Sequence, residues 1–226
     1  MKGHSPMNNI TNYINSTSKK TSIILFDGNF NIKYSLNKTL TFCTASLIKV
    51  AIGHMAETSL CLTSDEEIMF QKMICESDNE STTYFWNKLS GENEIQKLFN
   101  RLQMNNSITG SKGYWGLSKT TAYDLMLLWK HILYSNSPKL KKYMRNITLS
   151  QRWGITNYLD ENYVSFIKNG WSPKEENNWR INNLSWFNTS SSSYGLIILS
   201  EENISLEEGI NYVNEVSRIL WSNYLR

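Results

Sequence analysis

Thr44-Ala45-Ser46-Leu47-Ile48-Lys49-Val50-Ala51-Ile52-Gly53-His54-Met55 is the stretch from which the fold is read. It is apolar nearly all the way round a helix, and a helix of that kind is buried. Ser46 and Lys49 stand three apart, so a hydroxyl and an amine are neighbours on one helical face. An ammonium in apolar surroundings is costly unless paired, and its pKa falls. Lys49 is therefore suited to take the proton of Ser46 and make that hydroxyl a nucleophile. The competing reading is a lysine that snorkels out of a structural helix. Spacing alone does not decide, because Ser16/Lys19, Ser35/Lys38 and Ser165/Lys168 repeat it. Ser16 lies in a polar run and Ser35 in a turn-like Asn/Lys segment. Ser165 is expected to point to the opposite strand face from Lys168. Only Ser46 opens a long apolar helix.

Upstream, the chain reads as a helix over Asn8–Asn15 and a strand over Thr21–Phe26. A tight turn at Asp27-Gly28 leads to a second strand, Phe30–Tyr34. Leu36–Cys43 connects to the Ser46 helix. Downstream, helical spacing holds to about residue 149. A capped start at Thr63-Ser64-Asp65-Glu66 opens one helix, which stops at Glu76-Ser77-Asp78-Asn79. Others follow through Tyr84, Phe85 and Leu89, then over Glu92–Leu102, Thr120–Leu133 and Lys139–Met144. The period then shortens to that of strands over Asn162–Gly170, Trp179–Phe187 and Tyr194–Ser200, joined by polar loops at Ser172–Asn178 and Asn188–Ser193. Ser205 and Glu208 form a capping box for a last helix with Leu206, Ile210, Val213, Val216, Leu220 and Tyr224 on one face. The predicted order α-ββ-(several α)-βββ-α implies an α+β fold: a five-stranded antiparallel sheet flanked by terminal helices, with an all-α lobe inserted. Residues 1–226 then form one domain, an α/β lobe at about 1–45 and 150–226 and a helical lobe at about 46–149.

Composition narrows the function. The chain has 226 residues, 40% hydrophobic, enough for one substantial core or two lobes sharing a cleft. A net charge of +3 and scattered basic residues leave no nucleic-acid footprint. There is no apolar run of the ~20 residues needed for a membrane span. The polar first twenty residues lack a signal core, which reads as cytoplasmic as given, or as secreted if a leader has been removed. Cys43, Cys61 and Cys75 are odd in number, which fits a reducing compartment. His4, His54 and His131 lack ligand spacing, so neither metal nor cofactor is expected. Trp153, Trp186 and His54 read as core residues.

Ser77-Asp78-Asn79 falls between two helices of the inserted lobe, and Lys168-Asn169-Gly170 near the end of a sheet strand. With Ser46-x-x-Lys49, in this order and on these elements, the set resembles the penicillin-recognising serine enzymes, the class A β-lactamases and D,D-peptidases. Gln151-Arg152-Trp153-Gly154-Ile155 and Lys168-Asn169-Gly170-Trp171 add to the likeness, which covers nearly the whole chain. The resemblance implies a β-lactamase/D,D-peptidase-like fold and a small-molecule or peptide-like substrate. It further implies that Ser46 attacks a carbonyl with its proton taken by Lys49, directly or through water. Ser77 would relay a proton to the leaving nitrogen, Asn79 would hold the substrate amide, and Lys168 would supply positive charge. Asn169, Gly170 and Trp171 would line the substrate, and the backbone N–H groups of Ser46 and Trp171 would form the oxyanion hole.

Two departures qualify that expectation. Class A β-lactamases place a water-activating glutamate on a loop between the second and third motifs, yet the corresponding stretch, residues 107–121, has no carboxylate. Asn169 also stands where the family has a hydroxyl residue, and Trp171, with Tyr114 and Trp115, is expected to wall the pocket. The sequence therefore predicts a peptidase, esterase or acyltransferase with weak or absent β-lactam turnover. The alternative is a binding protein that keeps the fold without turnover.

Overall fold

A computed structural model describes the backbone of residues 6–225 and the side chains from residue 10 onward; His4 lies outside the described residues. Helix α1 (Pro6–Thr17) leads into strands β1 (Lys20–Asp27) and β2 (Ile32–Leu36). A two-residue strand β3 (Phe42–Cys43) and a 3₁₀ turn (Ala45–Leu47) precede α2 (Ile48–Ser59), α3 (Ser64–Cys75), α4 (Asn79–Lys88) and α5 (Gly91–Arg101). A second 3₁₀ turn (Trp115–Leu117) and β4 (Lys119–Thr120) lead to α6 (Ala122–Tyr134) and α7 (Pro138–Arg145). The chain returns through β5 (Ser165–Glu175), β6 (Asn178–Asn188) and β7 (Ser193–Asn203) and ends with α8 (Leu206–Leu220) and one π turn.

Five strands form one antiparallel sheet, as the sequence predicts, and their order is β2-β1-β7-β6-β5. Its two faces follow from the strand period of two. Ile24, Phe26, Leu184, Trp186, Ile197 and Leu199 join a core that includes Phe70, Ile95, Leu125 and Trp129 of the helices. Ile23, Leu25, Ile181, Leu196 and Ile198 alternate with them and pack with Ile10 and Ile14 of α1 and Tyr212, Val213 and Val216 of α8. The predicted cap on α3 is a complete capping box between Thr63 and Glu66. On α8 half of the expected box forms: Ser205 Oγ accepts from the Glu208 N–H, while the Glu208 carboxylate accepts from the N–H of Ile204.

Three local expectations are corrected. The Asp27-Gly28 turn is not a two-residue hairpin; Asp27 Oδ1 accepts the N–H of both Asn29 and Asn31, winding a longer loop in which Phe30 has φ +64°. The polar segment Ser172–Asn178 is mostly strand, β5 and β6 running on to a two-residue turn whose Asn177 has φ +55°. Polar composition misled there because this end of the hairpin is exposed and has no apolar alternation to register. Ser46 does not sit within the α-helix but in the 3₁₀ turn that enters it.

Candidate active site

The Ser46 turn is clamped from three sides. β3 pairs with β4, and the Thr44 N–H donates to the Ser118 carbonyl at 2.7 Å. Asn182 Nδ2 of β6 donates to the carbonyls of Cys43 (2.9 Å) and Thr44 (3.2 Å). Gly170 of β5 lies so near that a Cβ there would be 2.9 Å from the Ser46 nitrogen and 3.0 Å from that of Leu47. Only glycine lets the strand approach this closely. Ala45, immediately before Ser46, has φ +45°, a region that alanine disfavours by about 1–2 kcal/mol. The surroundings thus hold Ser46 in a strained entry, and Ser46 lines the cleft.

Lys49, in the first turn of α2, is fully buried. Its amine donates to the Ser77 carbonyl, to Ser77 Oγ (3.1 Å) and to Asn79 Oδ1 (2.8 Å). None of these bonds goes to Ser46; the Lys49 amine is tied to Ser77 and Asn79. Burial pulls the Lys49 pKa down to about 7, and the nearby Asp78 carboxylate offsets part of that effect. Asp78 is the N-cap of α4, its carboxylate accepting the Ser81 N–H at 2.7 Å, while Ser77 before it has φ +60°. That turn presents Ser77 Oγ between two amines. Lys168 of β5 donates to it at 2.8 Å and is itself wholly buried, with weaker contacts to the Asn169 carbonyl (3.2 Å) and Gln151 Oε1 (3.4 Å). Burial first and the neighbouring Lys49 second hold its pKa well below the ordinary lysine value. Two ammonium groups sharing one hydroxyl repel each other in so dry a place, so the pair favours at least one neutral amine.

Asn79 lines the cleft with Ser46, and so does Trp171. Asn169 does not join them. Its side chain is fully buried, Nδ2 donating to the Gln151 carbonyl at 2.6 Å and Oδ1 accepting from Asn183 at 2.6 Å. Strand alternation puts it on the face opposite Lys168. The expected contact between Asn169 and substrate is therefore corrected to a structural role, anchoring β5 to the Gln151 segment.

The cleft has a volume of about 350 Å³, and Tyr114, Trp115 and Trp171 wall it as expected. Trp115 covers Lys49, whose amine is 5.0 Å from its ring centroid, and its indole N–H donates to Thr83 Oγ1 at 3.1 Å. No carboxylate lines the cleft among the described residues. Glu76 is exposed and outside the lining, and Asp124 is buried in bonds to Ser107 Oγ (2.7 Å) and the Asn106 N–H (3.0 Å). Arg180 of β6 is a cleft residue that sequence reading missed. It sits opposite Ser172 of β5, with Glu201 3.8 Å away, and its buried Nε has no hydrogen-bond partner. Its only signal in the sequence was a lone basic residue in an otherwise uncharged strand.

Known proteins share the scaffold that carries this cleft. The structure superimposes on a class A beta-lactamase from Bacteroides cellulosilyticus with a TM-score of 0.79 at 13% identity, over 98% of this chain and 99% of that one. The TLA-1 extended-spectrum beta-lactamase gives a TM-score of 0.82 at 12% identity, covering 98% of each chain. PBP-A gives 0.79 at 16% identity, over 97% of this chain and 95% of that one. No curated protein sequence matches the chain. The family model described as the beta-lactamase enzyme family matches residues 65–224, a span that contains Ser77, Asn79, Lys168 and the whole β5–β7 hairpin system, and the chain belongs to that family.

Proposed function

We propose that this chain is a serine acyl-transferring enzyme that forms an acyl-enzyme at Ser46 from a peptide-like, ester or β-lactam-like substrate and releases it to water only slowly. The observation that carries this reading is Ser77 Oγ held between the Lys49 and Lys168 amines beside the turn that presents Ser46. Ser46 Oγ attacks the carbonyl carbon, and its proton passes to neutral Lys49, directly or through water. The N–H groups of Ser46 and Trp171 receive the developing oxyanion, each such donor typically worth roughly 2.7–4 kcal/mol. When the tetrahedral intermediate collapses, the hydroxyl of Ser77 gives its proton to the leaving nitrogen and recovers one from a neighbouring ammonium. β5 is the edge strand, so an extended substrate finds unpaired backbone groups there. Arg180, a cleft residue, offers a positive charge to an anionic substrate group.

Intact-protein mass after exposure to a penicillin, an activated ester and a fluorophosphonate tests this. One acyl or phosphonyl addition is expected, lost in Ser46→Ala and retained in Ser16→Ala and Ser35→Ala. Continued labelling of Ser46→Ala refutes the assignment, and failure of every probe points to a binding protein that keeps the fold.

A further inference from the structure

Lys20 of β1, Glu201 of β7, Arg180 of β6 and Ser172 of β5 follow one another across four adjacent strands of the sheet, and the last two line the cleft with Ser46. The register of β6 against β7 slips at this row: Arg180 alone stands between Trp179 and Ile181, while both Glu201 and Glu202 stand between their partners Ser200 and Asn203. Such a bulge re-aims the side chains around it. Glu202 takes up the extra residue with φ +69°, its N–H donating to Asn178 Oδ1 at 3.1 Å. The Glu201 carboxylate thus meets two cations, and it meets them unequally. Its Oε2 accepts from the Lys20 amine at 3.2 Å, whereas its Oε1 stays 3.8 Å from Arg180 Nε, too far for a hydrogen bond. Lys20 is anchored in turn by the Thr41 carbonyl at 3.1 Å and by the Phe42 ring, whose centroid is 4.4 Å from the amine. Arg180 Nε is left buried and unbonded. Its charge borders a cleft that no carboxylate lines among the described residues.

We propose that Lys20 and Glu201 are positioning residues that set the anion selectivity of the cleft: Lys20 holds the Glu201 carboxylate off Arg180, which leaves the guanidinium to a carboxylate of the substrate. This rests on the reading of Arg180 given under the proposed function. One acid between two bases is a competition, and the base that wins it releases the other. With Lys20 in place Arg180 keeps an uncancelled charge for the ligand. Without it, Glu201 has only Arg180 to pair with, and an anionic ligand must displace an ion pair inside the protein, at the cost of desolvated charge left behind.

The test titrates the full chain with N-benzoylglycine and with its neutral amide, in about 0.15 M salt so that distant exposed charges are screened. The ratio of the two Kd values isolates the preference for charge, and it is read without any acylation of Ser46. Lys20→Met is expected to lower that preference roughly threefold to tenfold, the range of a partly buried ion pair. Lys20→Arg, which keeps the cation, should stay within about twofold of the native ratio. Glu201→Gln should raise the preference, and Lys20→Met made in the Glu201→Gln protein should then change nothing further, because Lys20 acts through that carboxylate. An equal loss from Lys20→Met in both backgrounds, or no loss in either, overturns the proposal while a preference abolished by Arg180→Ala keeps the reading of Arg180. A native protein with no saturable N-benzoylglycine binding or no charge preference, or a preference that survives Arg180→Ala, refutes the reading of Arg180 and this proposal with it.

Discussion

At the scale of the residue, the proposed chemistry turns on Lys49. Its pKa of about 7 follows from burial, so it can act as a base near neutral pH. The acylation rate is expected to rise as pH increases through a value near 7 and then level off, measured as adduct formation by stopped quench. A rise that begins only near the ~10.4 of free lysine contradicts this. Lys49→Arg keeps the charge but cannot deprotonate, and should slow acylation by about 10²–10⁴-fold. The residues of the candidate site were legible to different degrees. Ser46, Ser77, Asn79 and Lys168 follow from motif order, but Asn169 was misread because a motif gives a residue's place and not its direction. Only the register of β5 against β6, with Asn169 opposite Asn183, turns its amide away from the cleft.

At the scale of the element, the site depends on how closely β5 meets the Ser46 turn. Gly170→Ala places a methyl 2.9 Å from the Ser46 nitrogen and 3.0 Å from the Thr44 carbonyl oxygen, both backbone atoms that cannot swing aside. Acylation should fall by roughly 10²-fold, the order expected for a displacement of about 1 Å at a reacting centre, while far-UV circular dichroism remains native. A variant with undiminished acylation would show that the turn moves freely. The long elements were legible because each carries its own periodic pattern: the sheet strands alternate, and α8 shows one apolar face. β3 and β4 were not, since two residues make no period and their pairing joins Phe42–Cys43 to Lys119–Thr120 across the chain from α2 to α5. Asn182, which clamps the Ser46 turn from below, was invisible for the same reason. Its partners are distant backbone carbonyls.

At the scale of the molecule, two histidines tie the helical region to pH. His54 of α2 is buried, its Nδ1 at 2.8 Å from Ser137 Oγ and its Nε2 at 3.1 Å from Nε2 of His131 on α6, so only one of the two Nε2 atoms carries a proton. Burial first, then the charges of His131 and Arg101, pull the His54 pKa down to about 4. The unfolded chain therefore binds more protons between about pH 4 and 6.5, so stability is fully present above 6.5 and is lost as pH falls toward 4. The loss is about 3 kcal/mol, or roughly 6–12 °C in Tm for a chain of this size. Thermal melts of the native protein and His54→Gln at pH 7 and 4.5 check this, the variant showing the smaller drop. The central claim of the proposal is an acyl-enzyme at Ser46 in a cleft that no carboxylate lines among the described residues. The most direct measurement follows a chromogenic cephalosporin and the protein mass together in one time course. A single burst equal to the enzyme, with a long-lived adduct mapped to Ser46, is the predicted result; rapid multiple turnovers with no accumulated adduct would contradict it.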